Sequence, residues 1–161
     1  MPGTSPVGSE EFLTGRFIAS LGTESEDGSI HLTAVWYLFD NGSFYVATAS
    51  RSRKSRNAAA RPKASLMVDI RKPAEERGLV AVCSAEVITG ERSMEINARI
   101  HRRYLSEAAL ADPRAGGTFA AIDDVTLKLT PKNWYTWDMR KLDEVLFGGA
   151  MKTPGYLLPL D

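Results

Sequence analysis

The chain has 161 residues and a mass of 17.6 kDa, with 43% hydrophobic and 25% charged residues, which is the size and composition of one globular domain. This composition argues against a disordered or fibrous protein. Twenty Lys and Arg residues balance twenty Asp and Glu residues, which excludes a generally basic nucleic-acid binder and a polybasic membrane-surface protein. The balance conceals a local excess, because six basic residues and no acidic residue occur between Arg51 and Lys63.

We expect a single domain over residues 1–161, because no repeat or shift in composition divides the chain. The lone cysteine, Cys83, excludes an internal disulfide, and its apolar surroundings indicate a core residue. The first fifteen residues lack the pattern of a signal peptide, and no apolar run approaches the roughly 18 residues of a membrane span. The expectation is a cytoplasmic protein without membrane or nucleic-acid partners.

The first half of the chain predicts a short helix over Glu10–Arg16 and then strands. The alternation from Ile30 to Phe39 places apolar or bulky residues on both faces, which predicts one strand buried on both sides. Asn41-Gly42 is typical of a tight hairpin turn, because both residues accept positive φ. With Phe44–Thr48 as the returning strand, the sequence predicts an antiparallel hairpin over Ile30–Thr48.

The remaining predicted elements are helices and strands on either side of this hairpin. Ser52 is a typical N-cap for a helix that ends before Arg61-Pro62. Further elements are predicted as follows: strands Phe17–Leu21, Ala64–Arg71, Leu79–Thr89, Val125–Thr130 and Trp134–Asp138, a helix Glu91–Leu105, and a loop Ala111–Gly117. About seven strands without regular βαβ units favour an α+β, mainly β fold, an antiparallel barrel with short inserted helices.

Few site types fit the sequence. Phosphate-loop, dinucleotide-binding and nucleophile-elbow motifs are missing. His31 and His101 lie seventy residues apart without Cys or acidic partners at ligand spacing, so no metal site is expected. We interpret His31 as a strand residue and His101 as a solvated helix residue.

The basic cluster is the strongest candidate. It extends from Thr48, at the end of a strand, to Asn57, inside a helix. A helix N-terminus favours an anion, and Ser, Thr, Arg and Lys side chains donate hydrogen bonds to phosphate, so the pattern predicts a site for one phosphate group. A solvated basic helix face explains the same residues. A nucleic-acid patch fits less well, because no aromatic residues interleave the cluster.

The order of these motifs resembles the pyridoxamine 5′-phosphate oxidase-like superfamily. The resemblance is carried by His31–Leu38, Phe44–Thr48, Arg53-Lys54-x-x-Asn57 and Arg61–Leu66. Members are antiparallel split β-barrel proteins that bind FMN or its deazaflavin analogue. The order of elements agrees from about Phe12 to Asp138, which implies a barrel core over 12–138 and a C-terminal extension over 139–161.

The resemblance implies a homodimer with two cofactor sites at the subunit interface. Arg53 and Lys54 would hold the cofactor phosphate. The resemblance further implies that Thr48, Ser50 and Asn57 form hydrogen bonds with the cofactor. The backbone of Val35, Trp36 and Tyr37 would run beside the cofactor ring system. Trp134 and Trp137 would approach that ring from the partner subunit. The implied activity is FMN-dependent hydride transfer to or from a small organic substrate.

Departures from the family pattern leave alternatives open. The vitamin B6 reaction is not expected, because the chain continues Trp137–Lys141 where the oxidases end in an Arg-Leu-x-Pro-like tail. One alternative is a reductase that depends on the deazaflavin coenzyme F420. Arg51 and Arg56 would then contact the acidic tail of that coenzyme, or they are surface residues. Another is a non-catalytic flavin or haem carrier or sensor; a haem protein would need His31 or His101 as an iron ligand.

Overall fold

The computed structural model describes residues 4–160, which form one curled antiparallel sheet with helices between its strands. The strands are β1 Ala19–Glu24, β2 Ile30–Val35, β3 Leu38–Asp40, β4 Ser43–Thr48, β5 Lys63–Ile70, β6 Arg77–Ile88 and β7 Val125–Asp138. The helices are α1 Glu10–Thr14, α2 Arg53–Ala60, α3 Gly90–Tyr104, α4 Glu107–Ala111, α5 Thr118–Ile122 and α6 Met139–Phe147, with a π-turn at Pro113–Gly117 and a 3₁₀ turn at Ala150–Lys152.

The sheet has the strand order β2-β1-β5-β6-β7-β4-β3. Its two edge strands, β2 and β3, are consecutive in the chain and separated only by Trp36 and Tyr37. Because the three residue steps from Val35 to Leu38 span at most about 11 Å, the opposite edges of the sheet must approach each other. The sheet is therefore rolled into a barrel that is split between β2 and β3, and the predicted fold class is confirmed.

The predicted hairpin over Ile30–Thr48 is wrong as a single unit. β2 pairs with β1, with Val35 opposite Ala19, whereas only β3 pairs with β4, with Leu38 opposite Tyr45. The turn itself is as predicted, since Asn41 and Gly42 have φ values of 47° and 74°. Alternation along a strand does not reveal a change of pairing partner, so the pattern concealed the break between Val35 and Leu38.

The expected burial of β2 on both faces is also wrong. Ile30 is 66% and Leu32 68% exposed, and Ala34 of the same row is exposed as well. β2 is an edge strand, and among residues 4–160 the face that carries this row remains exposed. An apolar row consequently faces outward, next to the split in the barrel.

Two other predicted boundaries are wrong. β7 is one strand of 14 residues, because the chain passes Pro131 through a bulge, where β6 changes register between Val82 and Cys83. The predicted loop Ala111–Gly117 is largely helical: α4 ends at its first residue, and the π-turn occupies Pro113–Gly117.

The core lies inside the barrel and is formed by inward-facing residues of six strands. The largest fully buried aliphatic side chains include Leu21, Leu66, Leu79, Leu127 and Leu129. Cys83 is buried among them, and burial raises the pKa of its thiol to about 12. Within residues 4–160, no helix is long and apolar enough to cross a membrane.

Candidate functional site

The β4–α2 turn has the local structure that the sequence predicts. Ser52 caps α2, because its Oγ accepts a hydrogen bond from the Ser55 N–H at 3.2 Å. The buried Thr48 hydroxyl, at the end of β4, lies 3.1 Å from the Ser52 hydroxyl. The two hydroxyl groups therefore connect the strand end to the first turn of the helix.

A cleft of about 270 Å³, which we name the Lys54 cleft, opens beside this turn. Its apolar lining consists of Ile18, Ala34, Val35, Trp36, Ala47, Ile100 and Phe119. Three polar residues also line it: Thr48, Lys54 and Asp123. The cleft thus combines an apolar and aromatic wall with one cation, one carboxylate and one hydroxyl.

The aromatic wall is held by stacking and hydrogen bonds. The ring of Trp36 stacks on that of Tyr104 with centroids 5.0 Å apart and an interplanar angle of 1°, and the ring centroid of Phe119 lies 5.1 Å from that of Trp36. The Tyr104 hydroxyl donates to the Phe17 carbonyl at 2.8 Å and accepts from the Tyr37 N–H at 3.3 Å. Helix α3 therefore holds the crossing between β2 and β3 in place.

Lys54 is the cation of the cleft. Its side chain is partly buried, and burial lowers the pKa of its ammonium group, while the nearby Asp123 opposes this shift. Within residues 4–160, the Lys54 ammonium makes neither a hydrogen bond nor an ion pair. A half-buried cation in an apolar cleft without such a partner is suited to an anionic ligand.

Asp123 is a residue of the cleft that the sequence analysis missed, and His101 is its buried partner. Nε2 of His101 lies 2.8 Å from Oδ2 of Asp123, and His101 is only 5% exposed. The expectation of a solvated His101 is wrong, because α5 and the residues after it cover this face of α3. The only sequence signal for Asp123 was the acidic pair Asp123-Asp124 directly before β7. Acidic residues are common in such connections, so the pair did not indicate a site.

The structure separates Arg53 from Lys54. Arg53 is exposed and lies with Arg56 and Arg61 in a second cleft of about 750 Å³, on the side of α2 that faces the β1–β2 turn. Asn57 is buried beside this second cleft, where its Nδ2 donates to the Thr23 hydroxyl at 3.1 Å. Adjacent residues of a helix point about 100° apart, and these two side chains line different clefts.

The remaining predicted site residues lie at different depths. Both the N–H and the hydroxyl of Ser50 donate to the Asp124 carboxylate, at 2.6 and 2.7 Å, which lowers the pKa of Asp124. Tyr37 is fully buried behind the wall. Trp137 packs opposite Gly78 in a third cleft beside α1, away from the Lys54 cleft of the same chain. Of the predicted set, the Lys54 cleft brings together Val35, Trp36, Thr48 and Lys54.

Comparisons with known proteins agree with this architecture. The sequence profile of the family described as pyridoxamine 5′-phosphate oxidase matches residues 9–138. A search of curated proteins returned no match. Among solved structures, the conserved hypothetical protein Rv2991 from Mycobacterium tuberculosis has a TM-score of 0.70 at 22% identity, over 88% of this chain and 89% of that one.

Two further structures show the same fold with different names. A protein named F420 reductase has a TM-score of 0.64 at 23% identity, over 81% of this chain and 98% of that chain. HutZ, the haem storage protein from Vibrio cholerae, has a TM-score of 0.61 at 16% identity, over 78% and 89%. At these identities the likeness establishes the fold.

Proposed function

The chain belongs to the pyridoxamine 5′-phosphate oxidase family, and from this premise we propose that it is an oxidoreductase that holds FMN in the Lys54 cleft. The observation that carries the proposal is the half-buried Lys54 ammonium, which has no hydrogen-bonding partner within residues 4–160 and lies in a cleft with an aromatic wall. The family's fold also occurs in proteins named for F420, FAD and haem. The substrate proposed is a small organic molecule.

The residues of the cleft fit the chemistry of FMN. A phosphate needs charge-assisted donors, which Lys54 supplies, with the Thr48 and Ser52 hydroxyls nearby. A planar ring needs apolar and aromatic contacts, which Val35 and Trp36 supply. When bound, the cofactor itself supplies hydride transfer, and the protein positions it and excludes water. Phe119 and Ile100 are the apolar residues placed to exclude water.

A titration tests this proposal. FMN added to the purified protein is expected to quench tryptophan fluorescence with micromolar affinity, because Trp36 forms a wall of the cleft. Riboflavin, which lacks the phosphate, serves as the matched ligand and is expected to bind more weakly. Binding of neither FMN nor the deazaflavin in the micromolar range would contradict the cofactor assignment.

The deazaflavin coenzyme F420 is the second candidate cofactor, and one observation favours it. The side chains of Arg51, Arg53 and Arg56 form no hydrogen bond or ion pair within the described part of the chain. Three such guanidinium groups exceed what one phosphate requires, and they suit an acidic tail. Parallel titrations decide between the two, since tighter binding of F420 than of FMN would make F420 the cofactor of the cleft.

Turnover separates an enzyme from a carrier or sensor. We expect chemically reduced, bound cofactor to pass its electrons to at least one member of a panel of quinones, enones and tetrapyrroles. Failure with the whole panel would favour a flavin carrier. A haem carrier has less support, because Nε2 of His101 already contacts Asp123, and a Soret band on haem addition that His31→Ala or His101→Ala abolishes would be needed.

We further propose that the protein is a homodimer whose partner subunit completes each cofactor site. The Lys54 cleft, at about 270 Å³, is smaller than the roughly 300–1,000 Å³ of typical small-molecule sites. The exposed apolar row of Ile30 and Leu32 leads along β2 to Ala34, which lines the cleft. An apolar surface continuous with an incomplete site suits a second copy of the chain.

Leu32→Glu is expected to dissociate this dimer, because it places a charge in the centre of the proposed interface. The mass in solution should fall from two chains to one, and FMN affinity should fall with it. Met94→Glu is the matched control, since Met94 on α3 is equally exposed at 68% but lies outside the row on β2. A monomeric unaltered protein, or a dimer that survives Leu32→Glu, would contradict this assignment.

A further inference from the structure

Asp123 is held in the Lys54 cleft by a buried polar network. His101 contacts its side chain, and the Asn97 Nδ2 donates to its main-chain carbonyl at 2.8 Å. The Asn97 Oδ1 in turn accepts from the Thr126 hydroxyl at 2.6 Å, and Thr126 lies 2.9 Å from the Ser93 hydroxyl. These four supporting residues are at most 5% exposed.

This network holds the Asp123 main chain through Asn97 and one carboxylate oxygen through His101. Burying polar groups costs free energy unless each finds a partner, and satisfied networks hold their members in one arrangement. The side chain of Asp123 remains 15% exposed, on the wall of the cleft. An acidic group that a network positions at the edge of a ligand cleft is therefore available to a ligand.

The charge of Asp123 constrains which ligands fit. Its carboxylate only accepts hydrogen bonds, whereas the Lys54 ammonium only donates them. A simple anion is attracted by Lys54 and repelled by Asp123. A ligand that presents hydroxyl groups next to its phosphate satisfies both residues.

We propose that Asp123 is a specificity-determining residue of the Lys54 cleft, where its carboxylate accepts hydrogen bonds from hydroxyl groups adjacent to the ligand phosphate. The ligand class is a phosphomonoester of a polyhydroxylated chain, as in the ribityl phosphate of FMN. This inference rests on the proposed function, because it assumes that the cleft takes a phosphorylated cofactor. Asp123 would select such ligands against inorganic phosphate and other small anions.

Two partial ligands test the inference, because each reports on one half of the site. Riboflavin has the hydroxyl chain but no phosphate. Asp123→Asn should weaken the binding of riboflavin about fivefold to tenfold, because a charged hydrogen-bond acceptor is lost. The same variant should bind inorganic phosphate more tightly, about threefold to tenfold, because the repulsion is removed. Lys54→Ala should weaken the binding of inorganic phosphate and leave the binding of riboflavin nearly unchanged.

Two further variants complete the experiment. Glu107→Gln removes the same charge from exposed α4, outside the cleft, and should change neither affinity. Asp123→Glu keeps the charge but moves the carboxylate, so it should weaken riboflavin binding without the gain in inorganic phosphate affinity that is expected of Asp123→Asn, and it serves if Asp123→Asn does not fold.

The outcomes separate this inference from the proposed function. If Asp123→Asn shifts both affinities in the same direction, or leaves riboflavin binding unchanged, Asp123 does not select for hydroxyl groups. Undetectable riboflavin binding by an unaltered protein that binds FMN would also overturn the inference. If the unaltered protein does not bind FMN at all, the proposed function itself fails.

Discussion

Lys54→Ala is expected to weaken FMN binding about 10-fold to 150-fold, which corresponds to the roughly 1.5–3 kcal/mol of one charge-assisted hydrogen bond. Lys54 is the cation that lines the cleft, and no carboxylate hydrogen bond competes for it within residues 4–160. Tryptophan fluorescence titration of both proteins measures the change. Riboflavin should lose much less affinity than FMN, because it has no phosphate for the lysine to bind.

Two variants of the same basic cluster are controls. Lys63→Ala removes an exposed charge at the start of β5 and is expected to leave FMN affinity unchanged. Arg53→Ala is expected to change it by about threefold at most, because Arg53 lies in the second cleft and its charge is screened there by solvent. Unchanged affinity in Lys54→Ala would contradict the phosphate assignment even if a flavin binds. A loss in Arg53→Ala equal to that in Lys54→Ala would support the assignment of both residues to the phosphate.

The elements that could be predicted are those that depend on neighbours in the chain. The Asn41-Gly42 turn follows from the backbone preference of two residues, and the Ser52 cap follows from one side chain and the helix that it begins. The split between β2 and β3 depends instead on which strands pair across the barrel. Nothing in the alternation around Trp36 records that choice, so one long strand was predicted where the chain crosses between two edges.

The same distinction applies to the site. Thr48 and Lys54 could be predicted because the strand end, the cap and the helix lie within seven residues. Asp123 could not, because it directly follows α5, a helix that the sequence did not predict, and because its partner His101 is 22 residues away. Residues in the same motif were also separated by helical geometry, as Arg53 and Lys54 demonstrate.

Tyr37→Ala is expected to cost about 3–5 kcal/mol of the free energy of unfolding, the range for deleting a fully buried aromatic ring. Tyr37 occupies the crossing between the edge strands, is 0% exposed, and packs on Phe44 with ring centroids 5.7 Å apart. Its hydroxyl donates to the carbonyl of Phe12 and lies 3.2 Å from that of Gly15, so the residue also attaches α1 and the following turn to the barrel. Urea denaturation measures the loss as a lower midpoint.

Tyr37→Phe separates the ring from the hydroxyl. It keeps the packing and should cost about 1–3 kcal/mol, because the carbonyl of Phe12 loses its buried donor. Burial raises the pKa of Tyr37, so the native protein keeps this phenol neutral while the unfolded chain ionises it above about pH 10. The stability that the buried phenol contributes is complete below that pH and decreases as the pH rises further. The difference in unfolding free energy between the unaltered protein and Tyr37→Phe should therefore narrow above about pH 10, and a constant difference would mean that Tyr37 is not buried at the crossing.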